Sequence, residues 1–201
     1  MAVDAYVVFV PYNGQAPDSE SQTDWSNNSA DILGQVISPK YKTATVSGGK
    51  LTYGQIFEIE DYSFDIEQTL NIGSQGGGAG AGKVTFNPFS ITRSIDAASP
   101  ILFDMACSGT AFKQVSLALR KSAGGTQSGV FFLRFDFKLV AVKTISWSHD
   151  ETSPKEAVTF EYGGLLVRYC QQKPDGSLQT AIPGGWNRVR NVQDHTTAPL
   201  T

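Results

Sequence analysis

From Val130 to Ser148 the chain alternates side chains in a period of two. Phe131, Leu133, Phe135, Phe137 and Leu139 fall on one side, and Phe132, Arg134, Asp136 and Lys138 on the other. That period belongs to a β-strand, whose successive side chains point to opposite faces, and a helix cannot keep it. The stretch is therefore one long strand or a bent pair. Phe131 and Phe132 point oppositely, so one face fills a core and the other needs a second cover, which a neighbouring copy could supply.

The rest of the chain extends the pattern. Ala5–Val10 is a short apolar strand closed by Pro11. In Gln55–Gln68 the apolar set moves from Phe57 and Ile59 to Tyr62, Phe64 and Ile66. A strand whose faces swap midway needs an extra residue, which places a β-bulge near Glu60–Asp61. Beyond it Ser63, Asp65 and Glu67 share the polar face. Pro88 interrupts Lys83–Arg93. Phe112–Arg120 sets Val115, Leu117 and Leu119 against Gln114, Ser116 and Arg120. Ala157–Arg168 reads as two short strands around Gly163-Gly164, and after Cys170 the chain reads as an extended segment.

One helix is expected over 99–108, with Ser99 as cap, Pro100 at the first helical position and Gly109 as the stop. It is too short to stand alone, and exists because Leu102, Met105 and Ala106 can pack on a sheet. The fold class is thus mainly β, a barrel-like sandwich of short antiparallel strands with one short α-helix. Residues 1–192 form a single domain, 19–55 read as an insertion or long loop, and 193–201 as a disordered tail.

Composition removes several functions. Charged residues are 17% of the 201, and the net charge is −3 with no basic run, which argues against a nucleic-acid partner. No stretch of 18 apolar residues exists to enter a membrane, and the first residues lack a signal peptide's basic region. The expected location is the cytoplasm, with any export proceeding without such a signal. Cys107 and Cys170 read as buried thiols rather than a disulfide.

Apparent chemical motifs fail on context. Gly77–Lys83 approaches a phosphate loop, but Val84 replaces the hydroxyl residue and a strand follows instead of a helix. Ser148-His149-Asp150 are sequence neighbours, whereas a triad is assembled in space. His195 lies in the tail, and two histidines and two isolated cysteines make no zinc pattern. Glu58, Glu60, Asp61, Asp65 and Glu67 lack the spacing of a calcium loop. No catalytic, cofactor or metal residue is assigned.

Nine segments in order then carry a resemblance: Met1–Asp4, Phe57–Gln68, Gly76–Val84, Phe89–Thr92, Ile95–Pro100, Met105–Gly109, Arg120–Gly125, Gln172–Gly176 and Gly185–Arg188. The chain resembles the tube protein of the bacterial type VI secretion system, the Hcp (haemolysin-coregulated protein) family. Residues Ser19–Gln55 have no counterpart in the family pattern, and Ser122 lengthens one turn. The resemblance implies a structural subunit forming six-membered rings that stack into a hollow tube. A contractile sheath propels that tube, a spike caps it, and secreted effectors travel in its lumen.

On that resemblance Ser63, Asp65 and Glu67 are expected to line the lumen, although an outer solvated face fits the sequence equally. The glycine-rich loop of Gly73, Gly76, Gly77, Gly78, Gly80 and Gly82 is expected where one ring meets the next. The chain's end soon after Arg188 leads one to expect no fused toxin domain. Alternatives are a cargo-binding or chaperone ring, and a small hydrolase using Ser148 or His149.

Overall fold

The computed structural model describes residues 3–12, 17, 18, 20, 21, 44–47, 50–53, 56–70, 81–121, 130–149, 152–198 and 200. Thirteen strands and one helix are found among them: β1 (Val3–Pro11), β2 (Ala44–Ser47), β3 (Lys50–Tyr53), β4 (Phe57–Ile59), β5 (Asp61–Ser63), β6 (Ile66–Leu70), β7 (Ala81–Phe86), β8 (Phe89–Ser94), α1 (Ser99–Ser108), β9 (Ala111–Lys121), β10 (Val130–His149), β11 (Pro154–Tyr169), β12 (Ile182–Asn187) and β13 (Val192–Gln193). Nine strands make one antiparallel sheet in the order β13-β12-β11-β10-β9-β1-β4. The sheet folds over because β11 takes two partners: residues 155–160 pair with β8, residues 164–169 with β12. Strand β8 in turn pairs with β5. The result is a sandwich rather than a closed barrel. Hairpins β2–β3 and β6–β7 form separate two-stranded sheets.

The phase change at Glu60 is a corner, not a bulge. Strand β4 pairs with β1 and β5 with β8, so the chain changes partner there. The Glu60 backbone N–H donates to Thr92 O at 2.9 Å, and its carboxylate accepts from Ser94 Oγ and Lys155 Nζ.

The inner face carries the aromatic core. Phe89 stacks on Phe137 with centroids 4.1 Å apart at 12°, and Phe9 meets Phe57, Phe112 and Phe160 within 5.9 Å. Helix α1 packs on β10 through Leu102, fully buried, and half-buried Met105 and Ala106. Its cap differs from expectation. Ala98 occupies the N-cap position and Pro100 lies in the first turn, with Gly109 at φ 68° ending the helix. Ser99 Oγ is engaged elsewhere, accepting from Arg93 Nη2 at 3.1 Å, while Asp96 Oδ1 takes the Ala98 N–H.

Two strand expectations are corrected by long-range contacts. Gly163 and Gly164 do not break β11. A Cβ on Gly163 would stand 3.2 Å from that of Leu139, and one on Gly164 would stand 3.2 Å from Leu200 Cδ1. Leu139 sits opposite at φ 50°, a left-handed conformation for which the glycine makes room. Strand β11 thus runs unbroken for 16 residues and β10 for 20, so the strands are not uniformly short. In β10 a register shift between Phe131 and Leu133 sends Phe131 to the outer face, against Tyr6 at 5.9 Å.

That outer face is not an apolar surface awaiting a neighbour. Arg134, Asp136 and Lys138 are each 2% exposed. Lys138 Nζ donates to Thr196 O and pairs with Asp194 Oδ2 at 3.6 Å. Where composition points to a disordered tail from residue 193, Asp194 and Thr196 thus bind the sheet, and the Asp194 N–H donates to Gly185 O at 3.1 Å.

This C-terminal strap, residues 192–198, is held through a titratable group. Hydrogen bonds from Thr196, and then the Lys138 charge, hold the Asp194 carboxyl below its usual 3.8 against the cost of burial. A depressed carboxylate contributes stability that is present above that usual value and lost as pH falls through the lower folded one. The protection of amides in residues 192–198, the exchange rate divided into the intrinsic rate at the same pH, should therefore be high at neutral pH and fall in acid below about 3.8. Asp194→Asn should remove the pH step.

Candidate functional site

The three expected lumen residues are exposed but span two sheets. Ser63 ends β5, Asp65 follows it, and Glu67 lies in β6. Asn87 joins the two carboxylates, its Nδ2 donating to Asp65 Oδ2 at 2.6 Å and Glu67 Oε1 at 3.2 Å. Ile66, expected inward, is instead 48% exposed beside them. Of the glycine-rich loop, Gly73, Gly76, Gly77, Gly78 and Gly80 lie outside the described residues, and Gly82 is within β7.

The residues that invite a catalytic reading do not converge. Ser148 and His149 are exposed at the end of β10, and His149 is paired in register with Pro154. Asp150 lies outside the described residues. His195 faces Gln193 Nε2 at 3.1 Å in the C-terminal strap. No group of metal-ligating side chains forms among the described residues. Cys170 is buried, and burial raises its thiol pKa. Cys107 is exposed, contrary to expectation, because it lies on the side of α1 away from Leu102.

Three surface features emerge that the alternation pattern does not announce. An acidic cleft of about 750 Å³ runs between β1, β4, β5 and β8. Its carboxylates are engaged: Asp4 holds Arg120 at 2.8 Å, Asp96 holds Arg93 at 2.8 Å, and Glu60 holds Lys155. A second cleft of about 520 Å³ opens between β6–β7 and β11–β12, lined by Ile66, Val84, Phe86, Leu165, Val167 and Trp186. Behind it the buried Tyr162 hydroxyl makes no hydrogen bond among the described residues, and burial pushes its pKa up to about 12.

The third feature is convex. Trp147 stands half exposed near the end of β10, beside Phe103 of α1. A buried ion pair fixes it from below. Glu156 receives Arg93 Nε on Oε1 at 3.0 Å and Trp147 Nε1 on Oε2 at 2.9 Å. Sequence reading missed Arg93, Glu156 and Trp147. Their only signal was Arg93 and Glu156 standing among apolar neighbours, and the pairing register that joins them is long-range.

The sequence profile of the family described as "Type VI secretion system effector, Hcp" matches residues 48–169, more than half of the chain. The chain belongs to the type VI secretion Hcp family. The match takes in residues 48–55, the end of the segment read as an insertion. Protein hcp1 of Pseudomonas aeruginosa is 34% identical over 114 residues, covering 55% of this chain and 69% of the relative. The fold is that of solved Hcp structures. One titled "Structure of a type six secretion system protein" superposes with a TM-score of 0.70 at 21% identity, covering 96% of this chain and all of the other. Hcp1 from Salmonella typhimurium gives 0.62 at 20% identity, with coverage of 96% and 100%. Among the described residues no helix is long and apolar enough to cross a membrane.

Proposed function

We propose that this chain is the repeating subunit of a type VI secretion inner tube. Six copies close into a ring, and rings stack into a hollow tube that a contracting sheath drives outward behind a spike. The observation that carries this reading is the family match across residues 48–169. The role is structural, not enzymatic, and the protein leaves the cytoplasm as part of the tube.

In this reading Ser63, Asp65 and Glu67 line the lumen. Their exposure and the Asn87 bridge support it, since short polar and acidic side chains held in place keep a channel wet and unsticky for passing effectors. The glycine-rich loop from Gly73 to Gly82 stacks one ring on the next. Its length supports this, because joining two adjacent strands takes only about two to five residues.

Native mass spectrometry at about tens of micromolar, the range in which obligate assemblies persist, should give a six-fold mass, and negative stain should show rings. A monomer alone would overturn the reading. In assembled tubes a cysteine replacing Ser63 should react with small thiol reagents and slowly with bulky ones. Equal rates would place residue 63 outside the lumen.

A further inference from the structure

A closed ring of more than two identical subunits needs a heterologous contact, in which each copy presents two different and complementary patches. The described surface holds two apolar patches of opposite shape. The convex one consists of Phe103 and Trp147, which are 43% and 50% exposed, with their ring centroids 5.8 Å apart. The concave one is the cleft between β6–β7 and β12. They are not one surface. Leu165, in the cleft, is in register with Phe137, and Glu156 with Trp147. Ten residues of β10 separate those two positions, roughly 30 Å at about 3.3 Å per strand residue.

We propose that Phe103 and Trp147 of one copy dock into the cleft of the next, forming the repeating contact of the ring. The inference rests on the ring reading above and names the surfaces that build it.

Three observations commit the cleft to a second copy. First, the convex patch is already organised for binding. Trp147 is hydrogen-bonded to Glu156, and Glu156 to the buried Arg93, so the indole does not have to be ordered when it docks. Tryptophan is among the residues enriched at the energetic centres of interfaces. Second, the cleft lacks an acceptor. Trp186 Nε1 is buried in its wall with no hydrogen-bond partner among the described residues, and a docking chain brings carbonyl and carboxylate oxygens. Third, the borders carry opposite charges. Asp104 is exposed beside Phe103, Arg190 is exposed beside Asn191 of the cleft, and neither side chain forms an ion pair among the described residues.

Magnitude sets the role of the patch. A phenylalanine and a tryptophan carry about 150–250 Å² each, and here roughly half is still in water. A specific interface needs about 800 Å² per partner. The aromatic pair is therefore the centre of a larger contact and its energetic focus, not the whole of it.

A mixing experiment tests the geometry. Phe103→Asp spoils the convex patch and leaves the cleft; Ile66→Asp spoils the cleft and leaves the convex patch. Both positions are exposed, so the variants should melt within a few degrees of the parent. If either does not, Phe103→Ser and Gln68→Arg serve as the second pair. Each variant alone should lose the ring and sediment as a monomer. An equal mixture should give a 1:1 dimer and nothing larger, because only one intact contact can form. The charge border gives a second measurement: Asp104→Arg should weaken assembly at least tenfold, and Arg190→Asp in the same chain should restore it.

Rings that persist in either folded variant, or a mixture that stays monomeric beside a ring-forming parent, would overturn this contact while leaving the ring itself standing. A parent that is monomeric under the same conditions would overturn both.

Discussion

Replacing Asp136 by alanine should lower the unfolding free energy by about 3–5 kcal/mol, the range found when one partner of a buried ion pair is removed. On a chain of this size that is a fall of roughly 6–20 °C in melting temperature. The reason is the number of groups that meet on one carboxylate. Oδ1 accepts from Ser116 Oγ at 2.6 Å, Arg134 Nε at 2.7 Å and Gln114 Nε2 at 3.0 Å, and Oδ2 accepts from Arg168 Nη2 at 2.8 Å. Two guanidinium groups thus meet on one carboxylate that is 2% exposed. Burial, and with it the Arg168 charge, lowers the Arg134 pKa to about 10, and Asp136 is the group that opposes both. Without it both guanidinium groups lose the carboxylate on which they meet. Asp136→Asn should be intermediate, since its oxygen still accepts while its amide confronts an arginine. Urea titrations of parent and variants would measure the gap, which buried groups should keep in 1 M salt where surface pairs are screened. A loss below about 1 kcal/mol would show the cluster to be dispensable.

This cluster also shows what period-two patterning can and cannot reveal. The alternation in β9 and β10 was legible because Val115, Leu117, Leu119, Leu133, Phe135 and Phe137 recur on one side. It gives the period of a strand but not which of its faces meets water. Gln114, Ser116, Arg134 and Asp136 look like a solvent face until the ion-pair register closes over them. Local signals served where the cause was local: Pro100, Gly109 and the Leu102, Met105, Ala106 spacing marked α1 without help from the rest of the chain. They failed where the cause was distant. Gly163-Gly164 looks like punctuation, yet it makes room for Leu139 and Leu200. Asp194 looks like part of a tail, yet Lys138, far away in the chain, binds it. The candidate surfaces divide in the same way. The polar run Ser63, Asp65, Glu67 was readable, whereas Trp147 becomes notable only once Glu156 is known to lie beneath it.

Glu156→Ala should cost about as much stability as Asp136→Ala, and it should also change assembly by a separate route. Glu156 is fully buried and serves two donors, Arg93 Nε and Trp147 Nε1. Its loss leaves Arg93 with Asp96 at 2.8 Å, Ser99 at 3.1 Å and the Phe57 ring below it. Those remaining partners put the expected loss near the lower end, about 3 kcal/mol. The two consequences can be separated. Replacing the pair together, Arg93→Met with Glu156→Leu, removes both charges and fills their space with apolar atoms, an exchange that is often neutral or stabilising by about 1–4 kcal/mol. Stability should then return close to the parent's level, short by what Asp96 loses with its Arg93 partner, while Trp147 still lacks its acceptor. The half-exposed indole is free to turn, and docking must pay for ordering it, about 0.5–1.5 kcal/mol per side chain at each contact. Repeated around a ring, that cost multiplies. The double variant should therefore melt close to the parent, show altered tryptophan emission, and need a several-fold higher concentration to form rings. If it recovers assembly along with stability, Glu156 holds the fold alone and Trp147 finds its pose without it.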